Sequence, residues 1–137
     1  MKIIFKYLQG TQDFGLWYPK NADLTLHAYT DADWAGSIDD WKSNSGGALY
    51  MGPRLVSWFN KKQSSIALST AEAEYVVAAS CCTQLLWMMQ PLQDIQIKCS
   101  PPISILCDNT SATSISKNLV MHSKTKHIPI KYHFLHE

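Results

Sequence analysis

The chain has 137 residues and a mass of 15.5 kDa, a size that suits one domain. Hydrophobic residues make up 46% of it and charged residues 17%, and this composition excludes a disordered chain. The formal net charge of +1 neither requires nor excludes a nucleic-acid partner. The sequence has no apolar run long enough to span a bilayer and no signal peptide, so we expect a soluble, intracellular protein without a membrane partner.

The first half of the chain predicts a helix followed by three antiparallel strands. Residues 1–15 favour a short helix that ends at Gly10, since glycine commonly follows the last turn of a helix. Residues 24–31 alternate between apolar and polar side chains, which is the period of a half-buried strand ending at Asp31. A turn-rich acidic stretch follows, and residues 47–51 and 55–59 then predict a hairpin closed by MGPR.

The second half predicts a long helix, one strand and two further helices. Ser69 and Glu72 have the spacing of a capping box, and the helix that they begin is predicted to run to Met89 and to stop at Pro91. Its alanine-rich turns can lie close against a sheet. ISILC, residues 103–107, predicts a strand buried on both faces, and Asn109 or Thr110 is the expected cap of the next helix.

After a basic loop, HSKTKH, Pro129 fits the first turn of a last helix. Strands followed by a helix, a strand and more helices indicate a mixed-sheet domain of the α/β or α+β kind.

Three carboxylates occupy positions that the fold can bring close together: Asp31 and Asp108 each end a predicted strand, and Glu74 lies early in the long helix. If the two strands pair side by side, all three converge at one edge of the sheet. Crowded carboxylates of this kind suit Mg²⁺ or Mn²⁺, and two such ions can promote phosphodiester cleavage. Spacing alone leaves open that Asp108 simply caps a helix and that Glu74 is a surface charge near a helix N-terminus.

Other candidate sites have less support. The cysteines fit no CxxC zinc pattern, and we interpret them as free, buried thiols in a reducing compartment: Cys81, Cys82, Cys99 and Cys107. His133 and His136 can share a helix face but lack a third zinc ligand. Trp34, Trp41 and Trp58 can stack on bases, although packing is the commoner role.

Several motifs occur together in one order: YTDADWAG, KSNSGG, SWFNKKQSSIALSTAEAEY, CDNTSA and HSKTKHIPIKYHF. Together they resemble the ribonuclease H domain at the C-terminal end of the polyprotein of copia-type retrotransposons. The preceding YLQGTQDFGLWY resembles the segment that connects reverse transcriptase to that domain. The resemblance therefore implies a connecting segment in residues 1–20 and a ribonuclease H-like domain in residues 21–137.

The resemblance implies a mixed five-stranded sheet with flanking helices, and an enzyme that cleaves the RNA strand of RNA–DNA hybrids with two Mg²⁺ (or Mn²⁺) ions. Its metal-binding aspartates and glutamate correspond here to Asp31, Glu74 and Asp108. Asp33 and Glu72 are then neighbours of the ligands. Hybrid contacts are implied near four further residues: Ser37, Asn109, Lys124 and Lys126. The implied partners are the hybrid and the reverse transcriptase segment of the same polyprotein, in the cytoplasm, in a virus-like particle or in the nucleus.

The chain also departs from this family. Trp41 and His136 stand where arginine is usual, and members of the family continue with a further strand and with a helix that bears a fourth carboxylate. We therefore expect an incomplete domain with weak activity. One alternative is an inactive remnant that keeps the fold and binds hybrids. Another is a scaffold for a polyprotein partner such as reverse transcriptase, bound through four apolar residues: Ile3, Ile4, Phe5 and Trp17.

Overall fold

The computed structural model describes residues 2–20, 23–97 and 103–117. Within these ranges the elements follow one another as α1 (Lys2–Gly10), β1 (Leu26–Asp33), β2 (Asn44–Met51), β3 (Arg54–Lys62), α2 (Thr70–Asp94), β4 (Ser104–Leu106) and α3 (Thr110–Lys117). The described strands form one sheet in the order β3-β2-β1-β4. Since β1 is antiparallel to β2 and parallel to β4, the predicted α/β class is confirmed, and the fold is consistent with a ribonuclease H-like domain.

The hairpin strands β2 and β3 are longer than the sequence pattern predicts, and β1 is displaced by two residues towards the C-terminus. β1 continues to Asp33, which pairs with Asn44, and Asn44 in turn pairs with Lys62. The acidic turn is therefore confined to residues 34–43, because the strand pairing continues into polar sequence at this end of the sheet. The tight connection predicted between β2 and β3 is confirmed, and Gly52 supplies its left-handed backbone with a φ of 57°.

The long helix α2 begins as predicted but ends later. Ser69 is its N-cap, and its hydroxyl accepts a hydrogen bond from the backbone N–H of Glu72 at 3.2 Å. The predicted stop at Pro91 is wrong, because Pro91 lies inside the last turns of the helix. Proline removes one helical donor there, yet its own carbonyl still accepts from the N–H of Ile95 at 3.1 Å, so the helix continues to Asp94.

The core lies between the sheet and α2. Leu26, Ala28 and Leu49 from the sheet pack against Cys81 and Leu85 of α2, and all five side chains are buried. A second cluster joins α2 to α3. Ala73 and Ala79, in the alanine-rich turns of α2, are also fully buried, as expected for turns that lie close against the sheet.

The strand β4 differs from its predicted environment. Ile105 packs against the core, but Ser104 and Leu106 are exposed, Leu106 by 45%. Burial on both faces was therefore a wrong prediction, since α2 covers one face of this part of the sheet. Asn109 is the cap of α3, because its side-chain oxygen accepts from the N–H of Ala112 at 3.0 Å.

Two further expectations concern other parts of the chain. The basic loop and the helix predicted around Pro129 lie outside the described residues. Of the helices that the structure describes, none combines the length and the apolar character that crossing a lipid bilayer requires.

Candidate metal centre

Two neighbouring parallel strands bring the aspartates of the candidate site to one end of the sheet. β1 pairs with β4 so that Tyr29 lies opposite Leu106, and Asp31 and Asp108 each follow this pair by two residues. The predicted side-by-side pairing is confirmed. Asp31 does not end its strand as predicted, because β1 runs on to Asp33.

Glu74 reaches this end of the sheet from the second turn of α2. Its side chain is buried, with 5% exposure, so it is not a surface charge. Its Oε1 atom accepts a hydrogen bond from the backbone N–H of Ala32 at 2.9 Å. Its Oε2 atom accepts one from the thiol of Cys107 at 3.7 Å. These two contacts tie the carboxylate of α2 to both parallel strands.

The electrostatics of Glu74 reflect the convergence of negative charge. Burial is the main cause that raises the pKa of Glu74 above its usual value, and the charges of Asp31 and Asp108 raise it further. The hydrogen bond from Ala32 opposes these effects. A divalent cation would offset the repulsion among the three carboxylates. Their oxygen atoms are the kind of ligand that a hard metal ion prefers.

The closest set of metal-ligating atoms in the described residues consists of Glu74, Cys107 and Asp108. One ligating atom from each lies within 4.8 Å of the others. Asp31, which is exposed on β1, acts on Glu74 through its charge but is not part of this close set. The sequence pattern alone predicts that Cys107 is a free, buried thiol; it is free but only partly buried. Its position immediately before Asp108, where a strand ends beside β1, is the signal that could have identified it.

The neighbouring acids have structural roles. Glu72 accepts a hydrogen bond from the backbone N–H of Leu68 at 2.7 Å, just before α2. Asp33 ends β1, and its carbonyl accepts from the N–H of Gly36 at 3.4 Å. That Asp33 and Glu72 are neighbours of the ligands stays a prediction.

Two of the residues implied in hybrid contacts are partly buried: Ser37, in the loop after β1, and Asn109, directly after Asp108. In the loop between β1 and β2, the backbone N–H of Ser37 donates a hydrogen bond to the carbonyl of Lys42 at 3.1 Å. Lys124 and Lys126 lie outside the described residues, as do His133 and His136.

The tryptophans differ in their surroundings. The indole N–H of Trp34 donates to the carbonyl of Ala67 at 3.0 Å and so links the acidic loop to the segment before α2. Trp41 and Trp58 are largely exposed. Trp34 therefore has a structural contact, whereas the other two remain candidates for stacking.

Comparison with known proteins relates this chain to transposon proteins. It is 43% identical over 135 residues to the retrovirus-related Pol polyprotein from transposon RE2 of Arabidopsis thaliana, and 42% identical over the same length to that from transposon RE1. It is 38% identical over 137 residues to the Pol polyprotein from transposon TNT 1-94 of Nicotiana tabacum. The chain is homologous to a segment of these Pol polyproteins.

The homology covers 98% to 100% of this chain but only 9% or 10% of each Pol polyprotein. The chain thus spans about a tenth of the length of the relatives that it matches. No protein-family model matches it.

Proposed function

We propose that this Pol-like chain is a ribonuclease H-type endonuclease that cleaves the RNA strand of RNA–DNA hybrids during retrotransposon reverse transcription. The observation that carries the proposal is that the parallel pair β1 and β4 brings Asp31 and Asp108 to one end of the sheet, where the charges of both act on Glu74 of α2. Homology with Pol polyproteins supports a role in transposon replication. The motifs named above supply the resemblance to ribonuclease H.

In this proposal the three carboxylates hold two Mg²⁺ or Mn²⁺ ions. Bound divalent ions would supply positive charge to the scissile phosphate and lower the pKa of the attacking water. The N–H of Ala32 binds Oε1 of Glu74 and so fixes the direction of Oε2, which faces the thiol of Cys107. Asp31 and Asp108 are exposed and can therefore approach a substrate at the surface.

The hybrid would lie across the same end of the sheet. Ser37 lies in the loop that follows β1 and Asn109 directly follows Asp108, and Lys124 and Lys126 are the proposed phosphate contacts. Lys62 also stands at this end, because it belongs to the row of paired residues that contains Asp33 and Asn44. Cationic side chains beside the acidic cluster would hold the backbone phosphates through charge.

The direct test is cleavage of a labelled RNA–DNA hybrid by the purified chain, with and without Mg²⁺. We expect cleavage of the RNA strand that requires the metal and that Asp31→Asn or Asp108→Asn abolishes. Asp39→Asn is the matched control, since it removes an aspartate charge from the acidic loop outside the cluster, and it should leave cleavage intact. Circular dichroism establishes that each variant is folded.

Two results would contradict the proposal. Cleavage that persists in both cluster variants would show that the activity does not come from this site. Mg²⁺-independent hybrid binding without cleavage, in a folded chain, would instead support the alternative of an inactive remnant that retains the fold.

We further propose that α1 binds another part of the polyprotein, with the reverse transcriptase segment as the partner. None of the residues of α1 is buried, and its apolar side chains are each more than half exposed: Ile3, Ile4, Phe5, Tyr7 and Leu8. Large exposed apolar surfaces of this kind usually mark an interface. The homologous polyproteins are about ten times longer than this chain, so most of each polyprotein lies outside the matched segment and can supply a surface that binds α1.

A further inference from the structure

The carboxylate cluster contains one donor that a magnesium site does not need, the thiol of Cys107. Magnesium is bound by oxygen in near-ideal octahedral geometry. Thiolate sulfur instead selects soft or borderline metals such as zinc. The close set of Glu74, Cys107 and Asp108 therefore offers one sulfur and two carboxylates within 4.8 Å of one another.

The distance between two of these donors, the thiol of Cys107 and the carboxylate of Glu74, matches a zinc site. In tetrahedral zinc centres the bonds are about 2.3 Å to sulfur and about 2.1 Å to a carboxylate oxygen, so these two ligand atoms lie about 3.6 Å apart. Here the Sγ atom of Cys107 lies 3.7 Å from Oε2 of Glu74. A zinc ion can thus replace the thiol proton between them without moving either side chain far.

The buried oxygen of Glu74 also lacks a strong partner. Oε1 accepts from a backbone amide, but the hydrogen bond that Oε2 accepts comes from a thiol, which is a weak donor. A carboxylate that is 5% exposed gains much from a cation at that oxygen. Asp108, exposed at the surface, provides the third ligand on the side from which an ion enters.

We propose that Glu74, Cys107 and Asp108 form a Zn²⁺ site, and that Zn²⁺ bound there excludes Mg²⁺ from the carboxylates. Zinc binding itself follows from the donor set. The exclusion of Mg²⁺ rests on the proposed function, because it assumes that Mg²⁺ uses Glu74 and Asp108.

Metal binding to the thiol can be measured without any enzymatic assay. Cd²⁺, a zinc analogue, gives an ultraviolet charge-transfer band when it binds a thiolate, and Zn²⁺ affinity follows from competition with Cd²⁺. We expect one equivalent of Cd²⁺ to produce the band in the reduced full chain. Cys107→Ser should remove the band and weaken Zn²⁺ binding by at least about tenfold, since even loss of an outer-shell partner costs that much.

Two variants separate this site from an ordinary reactive cysteine. Cys82→Ser removes a partly buried thiol outside the cluster and should leave both the band and the affinity unchanged. Asp108→Asn keeps every thiol and removes an exposed ligand, so it should weaken Zn²⁺ binding by a similar factor. A band that survives Cys107→Ser, or an affinity that is unchanged in Asp108→Asn, would overturn the site.

The competition is tested by adding Mg²⁺ to the Cd²⁺-loaded protein. We expect Mg²⁺ to reduce the apparent affinity for Cd²⁺ in the unmodified chain. A cadmium band that is indifferent to saturating Mg²⁺ would overturn the exclusion of one metal by the other. If the band forms but no hybrid is cleaved under any condition, the zinc site stands and the proposed nuclease function fails.

Discussion

At the scale of single residues, Gly47 shows how closely α2 approaches the sheet. A Cβ atom at this position would lie 2.4 Å from a ring carbon of Phe59 and 2.7 Å from the Sγ atom of Cys81. Both neighbours belong to the packed core, so neither can withdraw easily. Glycine is therefore required here by space rather than by backbone conformation.

We predict that Gly47→Ala lowers the free energy of unfolding by about 1–3 kcal/mol through overpacking. Gly46→Ala is the matched control, since its Cβ would meet only the carbonyl oxygen of Asp31 at an ordinary 3.5 Å. Urea denaturation of both variants measures the difference. Equal stability of the two variants would contradict the tight packing described at Gly47.

Glu74 gives a second prediction at this scale, and it concerns pH. Because the pKa of Glu74 is raised in the folded state, the folded protein binds more protons than the unfolded chain in the pH range just above the ordinary glutamate pKa. Stability should therefore fall as pH rises through that range and stay reduced above it. In the presence of a chelator, we expect Glu74→Gln to have a higher urea midpoint than the unmodified chain at pH 7.

The difference between Glu74→Gln and the unmodified chain should shrink as the pH is lowered towards the range in which Glu74 itself becomes protonated. Glu72→Gln serves as the control for a glutamate of the same helix outside the cluster. A variant Glu74→Gln that is less stable than the unmodified chain at every pH would show that the hydrogen bonds of the carboxylate outweigh its burial.

At the scale of elements, the acidic loop is tied to β3 by an ion pair. The ammonium of Lys62 lies 2.8 Å from the carboxylate of Asp40. This contact is the main cause that lowers the pKa of Asp40 to about 2, and a hydrogen bond from Ser37 contributes further. The pair fixes a loop in which Ala35 and Trp41 adopt left-handed backbone, with φ values of 52° and 55°.

We predict that Lys62→Met raises the pKa of Asp40 towards its ordinary value of 3.8. In the unmodified chain, the stabilisation from Asp40 is present above the unfolded pKa and is lost as pH falls towards 2. The loss is small in energy, because solvent screens an exposed pair. An NMR titration of the Asp40 carboxyl carbon measures the shift, and Lys61→Met is the control. An unchanged titration midpoint in Lys62→Met would contradict the assigned cause.

At the scale of the whole molecule, charge governs the proposed binding of hybrids. A lysine that binds a phosphate releases counterions, so log K falls with log salt by about 0.9 for each phosphate bound. We predict that replacing Lys124 and Lys126 by alanine weakens hybrid binding and makes this slope shallower by roughly 0.9 for each lysine that binds a phosphate. Fluorescence anisotropy across a salt series measures both quantities.

Lys20→Ala provides the control for this salt series, because it removes one positive charge from the segment before the sheet. The same slope in the double variant and in the unmodified chain would show that Lys124 and Lys126 do not contact phosphate.

The helix α1 supports a second prediction at this scale. We expect Ile4→Glu combined with Leu8→Glu to abolish binding to the polyprotein segment that precedes this region in the homologues. These two side chains lie on one helix face and are both largely exposed, so the change adds charge to the proposed interface without disturbing the core. Isothermal titration calorimetry with that segment measures the loss.

Gln9→Glu adds a negative charge to the same helix at a polar position and should bind normally. Binding that survives the double change, or fails equally in Gln9→Glu, would contradict docking through the apolar face of α1.

Most of the local structure follows from the amino-acid sequence alone. The alternation that ends near Asp31, the glycine at position 10 and the capping residue Ser69 each act through neighbours a few residues away, so their elements follow from pattern. The mixed sheet class also followed from the order of elements. The identity of Asp31, Glu74 and Asp108 as the candidate site came from their positions at element ends together with the family resemblance.

Other features depend on residues distant in sequence and emerge only in the folded chain. Pairing of β1 with β4 joins segments 76 residues apart, as in the contact between Thr30 and the carbonyl of Leu106. The burial of Glu74, the nearness of the Cys107 thiol and the exposure of Leu106 all follow from that pairing and from where α2 lies. Local sequence patterns contain no information on these contacts and burials, because the contacts and burials arise only when α2 packs across the assembled strands.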